Sequence, residues 1–241
     1  MSSSKFKKRI MKLKGFSNQM SSLVLLRYTP WNGGLLKKQI KRFSIDSLHV
    51  GCGDILLKDW LNIRFERREE YGKIKKENGD FYLNYNLLKR WPFENDSIQY
   101  IAGSHFIEHL DLNQGIQFLK ESFRVLKKGG AIRLSCPDLN IYARNYIEGN
   151  QKFFENKWIK EWCAFKSAVT PGEIFIAKAY DSGGSHKWFY DFDSLKHVLQ
   201  TAGFQEVTKE GRLTGRVPDL EKIEPAAREL ETLYVEALKQ G

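Results

Sequence analysis

Hydrophobic positions change period along this chain, and each change marks an element. Leu48-His49-Val50 is a short apolar run that ends in Gly51-Cys52-Gly53-Asp54, the pattern of a buried strand entering a glycine turn. Trp60 to Arg64 reads as a second strand, Phe81 to Asn86 as a third and Ser97 to Gly103 as a fourth. Too few residues separate Gly53 from Trp60 to hold a crossover helix. From Leu112 to Leu126 the period lengthens. Ile116, Leu119, Phe123 and Leu126 mark one face of a helix, which Lys128-Gly129-Gly130 should end. Ala131 to Ser135 is a fifth strand, stopped by Pro137. The polar, aromatic-rich stretch from Leu139 to Trp188 reads as an insertion covering the site. Asp193 to Ala202 is a helix closed by Gly203, and Phe204 to Thr208 is a strand. Leu233 to Leu238 alternates in polarity and suits a last strand, although a helix from Pro225 onward satisfies propensity nearly as well. Strands interleaved with helices predict an α/β domain around a mostly parallel sheet.

In an open sheet of that kind, ligands sit beyond the carboxyl ends of the strands. That rule singles out His49 to Asp54, Arg64 to Glu66, Asn84 to Leu87, Ser104 to His109 and Cys136 to Leu139. Gly51 and Gly53 would let a ligand approach the main chain closely, because no Cβ stands in the way. His105 and His109 are four apart and would share one face of a helix start. Their H-x-x-x-H spacing suits a metal, but Glu108 is not at the H-E-x-x-H position and no third ligand is evident, so no metal is expected. His186, in Gly183-Gly184-Ser185-His186, lies in a glycine-rich segment more apt to face a cleft than to fill a core.

Charge changes the picture of partners. The chain has 241 residues and a formal charge of +10, which invites a nucleic-acid reading until the charge is located. Residues 1–45 hold eleven Lys and Arg and no Asp or Glu, and the remainder balances to −1. The segment 1–44 is therefore read as a basic arm, with residues 5–42 suited to an anionic membrane surface or another polyanion. Residues 45–241 form the domain, with its insertion at about 139–188. The absence of a recognisable RNA module or of an Asn-Pro-Pro-Tyr-type segment argues against nucleic acid as substrate. Three isolated cysteines point to a reducing cytoplasm, and the apolar run Leu23 to Leu26 is too short to span a membrane. A cytoplasmic protein, able to lie against a membrane through its arm, is the expectation.

Three segments, Leu48 to Asp54, Ile98 to Leu110 and Phe123 to Asp138, together resemble the class I S-adenosylmethionine (SAM)-dependent methyltransferases. The similarity is greatest to a methyltransferase-11-like branch linked to polysaccharide biosynthesis, and it covers Ser47 to Lys239. It implies a Rossmann-like sandwich with a seven-stranded, mostly parallel sheet whose last strand is antiparallel. It implies SAM as cofactor, held by His49, Gly51, Cys52, Gly53, Arg64, Glu66, Asn86, Leu87, Ser104 and His105. It implies transfer of a methyl group to a hydroxyl or carboxyl of a sugar, glycan, lipid-linked or other small acceptor. His105, His109, Asp138 and His186 are the catalytic candidates, with Asp138 as the partner of His105 or His186. The chain departs from the family at Arg64, where an acid usually accepts bonds from the ribose hydroxyls, since a guanidinium only donates. Glu66 could substitute. Asn86 and Gln99 stand at two further positions that usually hold Asp. The alternative is a catalytically inactive subunit that keeps the fold and binds a partner protein.

Overall fold

The computed structural model describes residues 33–64, 72–77, 80–163, 165–180 and 185–241. Glu66, Gly183, Gly184 and the first 32 residues of the basic arm lie outside them. Eight strands form one sheet: β1 (Ser47–Val50), β2 (Leu61–Arg64), β3 (Ile74–Glu77), β4 (Asp80–Asn84), β5 (Ile98–Ser104), β6 (Leu126–Pro137), β7 (Glu206–Glu210) and β8 (Thr232–Leu238). Their order is β3-β4-β2-β1-β5-β6-β8-β7. The central strands β4, β2, β1, β5 and β6 are parallel, and β8 runs antiparallel to both neighbours. This is the expected Rossmann-like sandwich with one strand more than the seven anticipated.

The added strand is β3, which pairs antiparallel with β4 at the sheet edge. Its sequence Ile-Lys-Lys-Glu carries too little apolar character to announce itself, as suits an edge. Next to it lies α1 (Gly33–Arg42), whose Leu36 is 2% exposed and whose Ile40 packs on the same core. Gln39 fastens α1 to the edge by donating to the Ile74 carbonyl at 3.3 Å and accepting the Ile74 N–H at 3.2 Å. Residues 33–43 of the basic segment are thereby part of the packed body.

α2 (Leu112–Val125) begins at Asp111, whose carboxylate takes the Gln114 N–H while the Gln114 side chain takes the Asp111 N–H. The helix ends one residue before the expected Leu126, because Leu126 already pairs with Ile98 as the start of β6. Gly129, at φ +75°, then bends the strand, so the glycine pair shapes β6 and does not terminate α2. The insertion folds into α3 (Leu139–Ile147), α4 (Gln151–Glu155), α5 (Lys157–Glu161) and α6 (Pro171–Ala179). These gather Phe154, Ile159 and Ile174 about the buried Tyr142, forming a small core separate from the main one. α7 (Phe192–Ala202) returns the chain to the sheet, and α8 (Leu220–Ile223) precedes a 3-10 turn and β8. Among the described residues no helix is long and apolar enough to cross a membrane.

Candidate functional site

Strand order reverses at β1, which has β2 on one side and β5 on the other. The carboxyl ends of those strands carry the glycine turn and the Ser104-His105 corner, so both lie at the crevice an open sheet offers to ligands. Gly51 and Gly53 have φ of +65° and +53°, the left-handed region that favours glycine. Cys52 N–H donates to the Ile63 carbonyl at 3.2 Å and ties the turn to β2. A Cβ on Gly51 would stand 2.5 Å from the Phe106 ring, so only glycine fits there. A Cβ on Gly53 would meet nothing within 4 Å. The turn is closed on one side and open on the other.

His49 lies beneath this turn, 3% exposed, with its Nδ1 3.1 Å from the Asn62 side-chain oxygen. That oxygen also accepts the Leu57 N–H at 2.8 Å, so the proton on the imidazole sits at Nδ1. Burial pushes the His49 pKa down to about 4, against the opposing bonds to Asn62 and to the Ile55 backbone. The Asn62 amide nitrogen donates to the Leu57 and Phe81 carbonyls, both at 3.0 Å. Asn62 thus satisfies the main chain of the short β1–β2 connection, which explains how the sheet manages there without a helix.

Arg64, at the end of β2, lays its guanidinium over the Tyr82 ring at 4.6 Å. Asn86 uses its side-chain oxygen within its own turn, accepting the Leu88 N–H at 2.9 Å. Leu87 is buried, and its carbonyl accepts the Trp91 indole N–H at 2.9 Å.

The other wall is more polar. Ser104 accepts a hydrogen bond from the Ser135 hydroxyl at 2.9 Å. His105 adopts φ +50°, a left-handed conformation that is costly for a non-glycine residue. Its ring is fixed on both sides. Thr232 gives its hydroxyl proton to the Arg228 carbonyl at 2.6 Å and so accepts from His105 Nε2–H at 3.2 Å. Arg228 Nη1 donates to His105 Nδ1 at 3.2 Å. The Glu108 Oε1 lies 3.3 Å from that same Nδ1, which has no proton to offer it in this tautomer. Both Glu108 carboxylate oxygens are buried without a hydrogen-bond partner among the described residues. Burial pushes the Glu108 pKa up, but the His105 contact and the charge that His105, His109 and His186 carry when protonated outweigh it and leave the pKa below its ordinary value.

His109 and His186 close on Glu108 from the 3-10 turn Ile107–His109 and from the end of the insertion. Their rings stand edge to face, with centroids 4.8 Å apart. His109 Nδ1 lies 3.0 Å from the Ser185 hydroxyl and 3.4 Å from the Ser185 carbonyl, and His186 Nδ1 donates to the Lys178 carbonyl at 3.0 Å. A carbonyl only accepts, so His186 carries a proton at Nδ1, whereas His109 Nδ1 can either donate to the Ser185 carbonyl or accept from the Ser185 hydroxyl.

Asp138 joins neither imidazole. It is fully buried, caps α3 by accepting the Asn140 N–H at 2.9 Å, and has Lys209 Nζ at 3.4 Å. The polar partner of His105 is instead Arg228, which lies over the Trp162 ring and pairs with buried Glu231 at 3.2 Å. Glu231 also meets the buried ammonium of Lys178 at 3.1 Å. Arg228, Glu231 and Lys178 carry no signal in the sequence, being polar residues among polar neighbours. Glu108 carries a faint one. His105-Phe106-Ile107-Glu108-His109 is H-x-x-E-H, the inverse of H-E-x-x-H.

No protein-family model matches the chain, and a search of curated proteins finds no match. Among solved structures, the chain is similar to a SAM-dependent methyltransferase from Thermotoga maritima, described as a possible histamine N-methyltransferase. The identity is 16% over 86% of this chain and 89% of that one, with a TM-score of 0.46. A SAM-dependent methyltransferase from Archaeoglobus fulgidus is 14% identical over 86% of this chain and 95% of its own, at 0.45. A Haemonchus contortus phosphoethanolamine N-methyltransferase, solved with phosphomonomethylethanolamine and S-adenosylhomocysteine, is 10% identical over 88% of this chain and 54% of its own, at 0.44. Likeness at this level carries no inference about ligand or reaction.

Proposed function

We propose that the chain is a SAM-dependent methyltransferase acting on a small acceptor. One observation carries this reading: two left-handed glycines end the central strand where the strand order reverses, and at Gly53 space is left open. That is the place and the shape an open α/β sheet uses to bring its main chain against a nucleoside ligand. Gly51, Cys52 and Gly53 would floor the cofactor site, with Asn86 and Ser104 at its margins. SAM supplies a methyl group on a positively charged sulfur, displaced in line by the acceptor.

The residues of the chain hold and orient the reactants. The Ser104-His105 corner and the imidazoles of His109 and His186 present polar groups on the side where an acceptor oxygen would enter. His105 is fixed in a neutral tautomer by Thr232 and Arg228, so it positions better than it shuttles protons. The resemblance in sequence favours a hydroxyl or carboxyl group of a sugar, glycan or lipid-linked molecule as acceptor.

A second reading is favoured by Arg64, which lies stacked on Tyr82 at the strand end where the ribose would be held. In it the fold is kept, cofactor is not bound, and the chain acts as a partner-binding subunit. Titration calorimetry with SAM and S-adenosylhomocysteine separates the two. Saturable heat with both ligands is the expected result. Heat from neither, with heat appearing in Arg64→Asp, would establish the second reading.

A further inference from the structure

Glu108 is a buried carboxylate whose two oxygens have no hydrogen-bond partner among the described residues. A carboxylate 1% exposed needs donors or a cation, because an isolated buried charge costs several kcal/mol or more. Its nearest polar group, His105 Nδ1, is already taken by Arg228 Nη1. On its remaining side stand His109 and His186, and one ligand-capable atom of each of the three residues lies within 4.8 Å of the others.

We propose that Glu108, His109 and His186 bind one divalent transition-metal ion of the kind imidazole favours, such as Zn2+. Three features support it together. Two neutral imidazoles and one carboxylate make a donor set suited to zinc or iron, and not to magnesium or calcium. His186 gives its Nδ1 proton to the Lys178 carbonyl, and the Ser185 carbonyl stands where it can take that of His109, the outer-partner arrangement that metal-bound histidines use. The ion also supplies the counter-charge that the buried carboxylate lacks. Donors about 2.1 Å from a shared tetrahedral ion lie about 3.4 Å from one another. Separations of up to 4.8 Å therefore have to close by as much as roughly 1.4 Å, which rotation of the His109 and His186 side chains would have to supply.

With three protein ligands, a fourth position stays open for water or for an acceptor oxygen. There the ion would make the proton of a bound hydroxyl more acidic. That role rests on the methyl-transfer reading, whereas metal binding does not.

The test uses the untagged full chain, stripped with chelator and titrated with Co2+ and then Zn2+. One equivalent of Co2+ should bind, give visible ligand-field absorbance and be displaced by Zn2+, and Zn2+ should raise the thermal midpoint. His186→Asn, on the surface side of the group, should weaken binding by more than about 100-fold, beyond the 10–100-fold typical of losing an outer partner. Glu108→Gln should abolish binding, yet melt higher than the wild type in chelator because the orphan charge is gone. The proposal is overturned if the wild type binds no stoichiometric metal, or if both variants bind as tightly as it does. Because SAM affinity is measured separately, failure here leaves the cofactor reading intact, and the reverse holds too.

Discussion

At Asn62 a single amide meets the Leu57 N–H, the Leu57 and Phe81 carbonyls and the ring of His49, and this local economy sets a pH dependence. His49 has its pKa lowered from 6.5 to about 4 by burial. Between those values the unfolded chain binds a proton that the folded chain refuses, so stability is full above pH 6.5 and is lost as pH falls toward 4. The slope approaches about 1.4 kcal/mol per pH unit, and the loss totals on the order of 3 kcal/mol. Urea midpoints measured from pH 7 to pH 4 should fall more steeply for the wild type than for His49→Gln. Equal slopes would remove His49 from the account. Strand-end residues were legible at this scale as a set, since the sheet rule names them from the sequence. Their individual duties were not. Asp138 caps a helix, Asn86 closes its own turn, and His49 supports the floor from below, because each is decided by the nearest unsatisfied main-chain group.

Elements with one clear period were read well, and those shaped by tertiary contact were not. α2 and α7 follow from their apolar stripes, and α7 also from Gly203, which closes it. β3 could not be found, because this charged edge strand sends only Ile74 into the core, too little to write a period into its sequence. The insertion showed only as polar and aromatic. Its helices are short and rely on rings packed around Tyr142, a cluster assembled from distant positions. The capping box of α2 gives a test at this scale. Asp111→Ala removes the acceptor for the Gln114 N–H and should cost about 1 kcal/mol, seen as a lower urea midpoint, with Asp111→Ser recovering most of it. An unchanged midpoint in the alanine variant would show that α2 is held by packing alone.

At the scale of the molecule, the order of strands brings the glycine turn and the Ser104-His105 corner to one crevice, and the sequence foretold that arrangement through its three ordered segments. It did not foretell that His186 returns from the insertion to meet Glu108 and His109, since no local pattern encodes a contact across so much chain. Binding of the adenosyl cofactor over the open side of the turn is the claim on which the functional reading depends. Gly53→Asn probes it most directly, because Asn tolerates a left-handed φ and a Cβ there meets no atom of the described residues within 4 Å. Titration of this variant with S-adenosylhomocysteine should give no saturable heat, while its melting temperature stays at the wild-type value and the wild type binds. A variant that binds as the wild type does, with the asparagine side chain in place, would contradict the placement of the cofactor over this turn.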